Sequence, residues 1–308
     1  MRNAPALSKT FYGHTSLGGP ALALFDPGGG ERLFMAWADR SGRLMMGQGV
    51  EHGLLDASEV VDAHAGDVQA SDLGPTLAVF REELYVAWID SGDGSLHVMS
   101  TCDGFHWDRR AHLANERSLA TPALSVFAGR LWLAWTGTDS ARDGGGRPNL
   151  RSSSDGSTFQ RKHTLANELS GGSVGLGVCE ADAEPSSLHL TWTELYSHRI
   201  QDALLHVDRD GGLNGYDKVA VGFSSSSGTS LCGGSPLRLA ALTKEPQWGV
   251  ATTELAYGAG GWSEPDVQVG SSLFTPAVVT SSTGTYVAWT DVDGSRLKVE
   301  RVSQVQRV

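Results

Sequence analysis

The sequence predicts an all-β protein, a six-bladed β-propeller with four-stranded blades, and three observations support this prediction. First, an apolar strand ending in Trp and followed by an acid recurs, as in LYVAWID around Trp88 and TYVAWTD around Trp289. Second, the copies are 47 to 57 residues apart, the range in which propeller blades repeat. Third, the repeated strand is apolar on both faces, which is expected when each sheet is covered on two sides. The six copies centre on Trp37, Trp88, Trp135, Trp192, Leu242 and Trp289.

Each copy divides into four predicted strands, A to D, and the third copy shows the division most clearly. Its strands A to D cover Thr121 to Phe127, Leu131 to Thr136, Asn149 to Ser154 and Thr158 to Ala166. The Ala-Gly and Asp-Gly steps between them predict hairpin turns, because glycine adopts a positive φ without steric cost.

The two ends of the chain predict how the array closes. The last copy lacks most of strand D, whereas residues 6–16 resemble the fourth strands of other copies. An N-terminal strand that completes the last blade would remove an exposed sheet edge. We therefore predict a single domain, residues 1–308. Its blades are expected at approximately 16–66, 71–117, 118–169, 170–224, 225–270, and 271–308 joined by 1–15.

Composition and charge exclude several classes of function. The net charge of −11 would repel a phosphate backbone, so we expect no nucleic-acid partner. No apolar run predicts membrane insertion, and the N-terminus lacks the apolar stretch of a secretory signal. We therefore expect a cytoplasmic protein, with non-classical release as the alternative. The sequence predicts no cofactor apart from a cation at an acidic rim, and it does not predict the oligomeric state.

The three cysteines have no spacing that suggests a disulfide framework or a zinc site. Cys102, Cys179 and Cys232 are widely separated and odd in number. We expect them to be reduced and mostly buried.

Two predicted turns between strands C and D carry a further signature. Residues 100–107 read STCDGFHW and residues 153–159 read SSDGSTF, and both resemble the S-x-D-x-G-x-T-W pattern of Asp boxes. With the phrase FAGRLWLAWTG, the chain resembles the bacterial BNR/Asp-box (sialidase-like) repeat propellers over nearly its full length. The resemblance implies that Asp103 and Asp155 form turns on the face opposite the binding mouth. Because the Arg-Ile-Pro motif of sialidases is absent, it implies a non-sialidase member.

The predicted strand directions place the B–C and D–A connections at one end of the blades, which we call the mouth face. The acid that follows each repeated strand B would lie there, at Asp39, Asp90, Asp139, Glu194, Glu245 and Asp291. Such a rim of acids could bind a cation or a polyhydroxy ligand. The same acids could instead cap turn amides, and the sequence leaves both interpretations open.

The loops that break the repeat are expected to carry specificity, because binding residues concentrate on loops of a rigid scaffold. The fourth B–C connection offers Tyr196, His198 and Arg199, and the third offers Arg142, Asp143 and Arg147. The D–A connections add His14, His64, Asp67, Glu116, Arg117 and Glu168. From these, the predicted ligand-binding residues are Tyr196, His198, Arg199, His14, His64 and Asp139.

These features predict binding of a carbohydrate or small polar ligand, as in a lectin, at the central mouth. Divergence among the loops favours one unique pocket over repeated sites. The alternative is an enzyme that uses one central pocket, either a non-sialidase glycoside hydrolase with paired carboxylates or an enzyme of small-molecule metabolism. The candidate catalytic residues are Asp39, Asp90, Glu194, Asp291 and His198. The sequence does not decide between lectin and enzyme.

Overall fold

The computed structural model describes residues 8–49, 57–62, 66–138, 144–180, 186–244, 248–256, 261–282, 284–293 and 295–302. These residues form β-strands, turns and connections, with no helix among them. No helix that could cross a membrane is therefore found in the described part of the chain.

The strands form four four-stranded antiparallel sheets, one seven-stranded sheet and one short hairpin. In chain order they are β1 (Ser8–Thr15), β2 (Ala21–Phe25), β3 (Arg32–Ala38), β4 (Leu44–Gln48), β5 (Ser58–Glu59), β6 (Val61–Asp62), β7 (Gly66–Asp67), β8 (Thr76–Phe80), β9 (Glu83–Ile89), β10 (Ser95–Thr101), β11 (Asp108–Arg117), β12 (Ala123–Phe127), β13 (Arg130–Thr136), β14 (Pro148–Ser153), β15 (Gln160–Thr164), β16 (Gly175–Cys179), β17 (Ser187–Thr193), β18 (Arg199–Val207), β19 (Leu213–Cys232), β20 (Leu237–Thr243), β21 (Gly249–Leu255), β22 (Asp266–Ser271), β23 (Ala277–Ser281), β24 (Gly284–Thr290) and β25 (Arg296–Val302). The four strands of the third copy lie within three residues of their predicted bounds.

The seven-stranded sheet consists of two four-stranded sets that share the 20-residue strand β19. Residues 213–224 of β19 pair with β18, and residues 225–232 pair with β20. Ser224 to Ser227, where unit 4 passes into unit 5, therefore lie inside a continuous strand. No glycine or proline interrupts the run of four serines, so the backbone stays extended.

We number the four-stranded sets as units. Unit 1 contains β2 to β5, unit 2 contains β8 to β11, and unit 3 contains β12 to β15. Unit 4 contains β16 to β18 with the first part of β19, and unit 5 contains the second part of β19 with β20 to β22. Unit 6 contains β23 to β25 with β1, which pairs with β25 from Ser8↔Glu300 to Thr15↔Arg296. The two ends of the described chain therefore meet in one sheet.

The first strands of the units lie beside one another in a propeller-like arrangement. β2 contacts β8, β8 contacts β12, and β12 contacts β16. β16 contacts β19, β19 contacts β23, and β23 contacts β2.

The hydrophobic core lies between neighbouring units. One cluster joins units 3 and 4 and includes Trp132, Leu150, Leu176 and Leu190. The repeated tryptophans are buried, as predicted for Trp88 and Trp135. They are buried because both faces of each strand B are covered.

The cysteines are free, but only one of them is fully buried. Cys179 is buried and Cys232 is partly buried. Cys102 is exposed, so the expectation of burial is wrong there. It lies in the turn between β10 and β11, outside the sheet.

The two turns with the Asp signature are held together by their carboxylates. Asp103 Oδ1 accepts hydrogen bonds of 2.8 Å from the backbone N–H groups of Phe105 and His106. Asp155 Oδ1 accepts from the N–H groups of Thr158 and Ser157, at 2.7 and 2.8 Å, and these bonds hold the pKa of Asp155 well below its usual range. Both carboxylates therefore stabilise their turns, which is the structural role that the sequence predicts.

Candidate functional site

The mouth face is held together by one backbone hydrogen bond that recurs in five units. The carbonyl of a residue near the end of a B–C hairpin accepts from an N–H of the D–A connection that leaves the same unit. The donor and acceptor pairs are Ala70 to Gly42 (2.7 Å), Ser170 to Gly146 (2.8 Å), Ser225 to His198 (2.9 Å), Ser272 to Trp248 (3.0 Å) and Ser16 to Ser295 (2.8 Å). Both kinds of connection therefore gather on one face, as the strand directions predict.

A second repeated bond joins neighbouring units at this face. The Thr that follows the repeated Trp donates its hydroxyl hydrogen to a carbonyl in the D–A connection that leads from its own unit to the next one. Thr136 bonds Gly172 at 2.7 Å, and Thr193 bonds Ser227 at 2.6 Å. Thr290 of unit 6 bonds Gly18, just before unit 1, at 2.7 Å. The junction of unit 6 with unit 1 therefore contains the same bond as the junctions of units 3 and 4 with their successors.

The axis between the first strands is narrow. Its cavity of about 70 Å³ is lined by the starts of these strands, including Pro20, Pro75, Pro122 and Pro276. The hydroxyls of Ser173 and Thr275, from units 4 and 6, lie 2.8 Å apart. Ligand pockets usually span about 300 to 1,000 Å³. The unique pocket expected from the sequence is therefore not found inside the axis, and a saccharide would have to bind on the face around it.

Two of the predicted rim acids cap the hairpins in which they lie. Asp39 accepts from the N–H groups of Ser41 and Arg43 and pairs with the Arg43 guanidinium at 2.6 Å. Burial raises the pKa of Asp39, but these hydrogen bonds outweigh it and leave the pKa below its usual value. Asp90 accepts from the N–H groups of Gly92 and Asp93 at 2.8 and 3.3 Å. The turn-capping interpretation is the one that these contacts support.

The other described rim acids pair with cations or hydroxyls. Asp291 pairs with Lys298 at 2.6 Å. Glu194 accepts a hydrogen bond from the Ser197 hydroxyl, and its other oxygen lies 4.0 Å from Lys218. The predicted residues Asp139, His64, Glu245, Arg142 and Asp143 lie outside the described residues, as does the side chain of Asp67. No group of three or more metal-ligating side chains occurs in the described part of the chain, so a cation at the rim stays a prediction.

The predicted acids of two D–A connections are buried at joints between units. Glu116 of unit 2 is 6 % exposed and binds Arg151 at 2.6 Å and Lys162 at 2.8 Å, both in unit 3. The Lys162 ammonium in turn lies 5.6 Å from the ring centre of Trp135. Because its carboxylate is committed to this joint, Glu116 is not open to a ligand.

Glu168 of unit 3 repeats this arrangement against unit 4. It binds Lys218 at 2.9 Å and accepts a 3.0 Å hydrogen bond from the Tyr216 hydroxyl. Burial together with the neighbouring carboxylate raises the pKa of Tyr216 to about 12.

At the joint of units 6 and 1, His14 lies edge-on to Trp37 with ring centres 5.3 Å apart. The structure therefore places His14 at a joint rather than on open surface.

The B–C hairpin of unit 4 exposes an aromatic, an imidazole and a guanidinium side chain together. Tyr196 is 67 % exposed, and His198 and Arg199 are also exposed. Among the described residues, neither the His198 ring nor the Arg199 guanidinium has a hydrogen-bond or ion-pair partner. An aromatic ring and unused donors therefore lie together at the predicted place.

A buried polar network between units 4 and 5 was missed by the sequence reasoning. The Ser187 hydroxyl lies 3.0 Å from His189 Nε2, and His189 Nδ1 lies 3.0 Å from Asp202, which also accepts from Trp262 at 3.0 Å. The position of His189 holds Phe34, Tyr85, Trp132 and Tyr286 in other copies, and aligning the copies would have shown the exception.

The order of groups in this network matches that of a serine hydrolase relay. However, His189 and Asp202 are buried inside the joint, and the axial cavity is lined by other residues. Because its buried groups satisfy one another, the network serves to join two units.

A pair of stacked histidines lies in unit 2, and it too was not predicted from the sequence. The His97 ring stacks on Trp88 and on His112, with ring centres 5.2 and 4.2 Å apart. Both His Nε2 atoms lie 3.1 Å from the Ser95 hydroxyl. Burial, and then the neighbouring His112, lowers the pKa of His97 to about 4.

This shift predicts that the fold loses stability in acid between pH 6.5 and 4. His97 stays neutral in the folded protein over this range, whereas the unfolded chain binds a proton there, so stability falls as the pH falls. The expected loss is about 2 to 3 kcal/mol from this group. Urea unfolding of the wild type and of His97→Phe at pH 7 and pH 4.5 measures it. The variant should lose less stability than the wild type, and equal losses would contradict the assignment.

Comparison with solved structures finds propellers of similar architecture, among them a lectin and an arabinanase. A variant of AofleA from Arthrobotrys oligospora, with three arginines replaced by alanine, is 12 % identical with a TM-score of 0.72, covering 97 % of this chain and 87 % of that one. The α-L-arabinanase of Penicillium chrysogenum, solved with arabinobiose, is 13 % identical with a TM-score of 0.70, covering all of both chains. A lectin of Aleuria aurantia, described as a six-bladed β-propeller with a novel mode of fucose recognition, is 13 % identical with a TM-score of 0.61 and covers 97 % and 95 %.

The chain folds as a β-propeller. At these identities the likeness establishes the fold and leaves the function to be argued from the site. No protein-family model and no curated protein matches the chain. The resemblance to the Asp-box repeat family is therefore a resemblance of sequence pattern alone.

Proposed function

We propose that this protein binds a carbohydrate, as lectins do, on its mouth face. The observation that carries the proposal is the unit 4 hairpin, where Tyr196, His198 and Arg199 are exposed together. The guanidinium offers several donors to sugar hydroxyls, and the tyrosine combines an apolar ring with a polar hydroxyl. The likeness to the fucose-specific lectin of Aleuria aurantia supports the same conclusion.

We further propose that the six units form a closed six-bladed propeller in a single domain. The chain of contacts between first strands, which returns from β23 to β2, supports this count. The pairing of β1 with β25 and the bond from Thr290 to Gly18 support closure. Closure fixes the hairpins of neighbouring units side by side, so one ligand can contact two of them.

The test is binding of saccharides to the wild type and to two matched arginine variants. A glycan array comes first, followed by titration with methyl α-L-fucoside, methyl β-D-galactoside, methyl β-D-glucoside and arabinobiose. Arg199→Gln should weaken binding about tenfold or more, because a charged donor to the sugar is lost. Arg209→Gln, also exposed in unit 4 but in the C–D turn on the opposite face, should leave the affinity unchanged.

Two outcomes would count against this proposal. If the wild type binds no saccharide, the lectin function is wrong. If Arg199→Gln and Arg209→Gln behave alike, the ligand does not bind at the unit 4 hairpin.

The second candidate is a glycoside hydrolase, favoured by the likeness to the arabinanase over the full length of both chains. Such an enzyme needs two carboxylates free to act as acid and as base or nucleophile. Here Asp39 and Asp291 are tied to Arg43 and Lys298, so we expect no hydrolysis of arabinan or of aryl arabinofuranosides. Turnover that disappears in an Asp39→Asn, Asp291→Asn double variant with an intact fold would establish the enzyme instead.

A further inference from the structure

Five of the six B–C hairpins place one residue in the left-handed backbone region just before strand C. The φ values are 76° at Gly42, 72° at Gly94, 58° at His198, 64° at Trp248 and 54° at Ser295. Glycine adopts this conformation at no steric cost, whereas a bulky side chain is a genuine outlier there. Units 1 and 2 have glycine at this position, and unit 5 has the largest side chain of all.

The backbone of Trp248 makes two hydrogen bonds that do not involve the indole. Its N–H donates to Thr243 at 3.1 Å, and its carbonyl accepts from Ser272 at 3.0 Å. Both bonds recur at this hairpin position in units 1, 4 and 6, where the residue is Gly42, His198 or Ser295. The indole belongs to no hydrophobic cluster of the described residues and is 39 % exposed. A strained backbone that carries an exposed aromatic ring is typical of a functional position.

The surroundings of Trp248 suit a sugar ring. Ser272, which bonds the Trp248 carbonyl, is followed by Leu273, which is 53 % exposed. Lys244, which is exposed and lies in the same hairpin as Trp248, donates its backbone N–H to Ser224 of unit 4, next to the hairpin that carries His198. Trp248, Leu273 and Lys244 are thus an aromatic, an apolar and a charged residue that are all exposed on the mouth face.

We propose that the Trp248 indole is a stacking platform for the apolar face of a pyranose ring, across from the polar residues of unit 4. The proposal rests on the carbohydrate-binding function and extends its site to unit 5. The C–H groups on one face of a pyranose form an apolar surface, and covering an exposed indole with them removes apolar area from water. The ring hydroxyls would point outward, within reach of donors on the neighbouring hairpin.

The decisive experiment is Trp248→Gly, because the proposal predicts opposite effects on binding and on stability. Glycine relieves the left-handed strain, so the melting temperature should stay unchanged or rise. Affinity for the best saccharide of the panel above should fall about tenfold or more. Trp248→Phe should keep most of the affinity. Ser295→Gly, the same relief of strain in unit 6, should leave binding unchanged.

Fluorescence gives an independent readout of the same contact. Trp248 is the one exposed tryptophan among the nine of the chain. Titration with the bound saccharide should therefore change the emission of the wild type, and this change should be absent in Trp248→Phe.

The outcomes separate this inference from the proposed function. Saccharide binding that is unchanged in Trp248→Gly overturns the platform and leaves the lectin function standing. A clear fall in melting temperature in Trp248→Gly shows a structural role for the indole and also overturns it. A wild type that binds no saccharide overturns both proposals.

Discussion

Removing residues 1–15 should lower the melting temperature by roughly 10 °C or more and should make the protein aggregate. The deletion takes away β1, which pairs with β25 from Ser8↔Glu300 to Thr15↔Arg296. Backbone hydrogen bonds contribute about 1 kcal/mol each, and each kcal/mol shifts the midpoint of a protein of this size by about 2 to 4 °C. The bared edge of β25 would also offer unpaired N–H and C=O groups to other chains. Differential scanning calorimetry and light scattering measure the two effects.

A peptide of residues 8–15 added in excess serves as the control. If the loss is due to the missing strand, the peptide should pair with the bared edge and raise the melting temperature again. An unchanged melting curve of the truncated protein would show that the N-terminal strand does not close the array.

Trp135→Ala should lower the free energy of unfolding by about 3 to 5 kcal/mol. The indole is 0 % exposed and packs between units 2 and 3, where Ile89, Leu96 and Leu124 belong to the same cluster. The substitution removes this apolar contact and leaves a cavity that a rigid joint between two sheets cannot fill. Urea denaturation followed by circular dichroism gives the change directly.

Trp248→Ala is the matched control, since it removes the same side chain from an exposed position. It should cost less than about 1 kcal/mol. Equal costs for the two substitutions would mean that Trp135 is not a core residue of the joint.

The fold was predictable because each repeat carries its own strand and turn signals. The Ala-Gly and Asp-Gly steps predicted hairpins, and strand B, apolar on both faces, predicted sheets covered on two sides. The continuity of β19 was not predictable in this way. Where two units share one strand, no turn residue marks the boundary, and only the pairing with β18 and β20 reveals it.

Whether the partner of a candidate site residue could be predicted depended on how far along the chain that partner lies. Asp39 meets Arg43 four residues later, so local sequence suggested a cap. Glu116 meets Lys162 46 residues later, which requires the packing of unit 2 on unit 3 to be known. The left-handed position of Trp248 was not predictable, because unit 5 lacks the glycine that marks this position in units 1 and 2.

The most direct test of the central claim, carbohydrate binding on the mouth face, is a crystal structure with the saccharide that binds best in the titrations. We expect the sugar on the face formed by the B–C and D–A connections, in contact with the unit 4 hairpin around Tyr196 and Arg199 and with its apolar face on Trp248. A sugar bound on the opposite face, at the C–D turns of Asp103 and Asp155, would contradict the account.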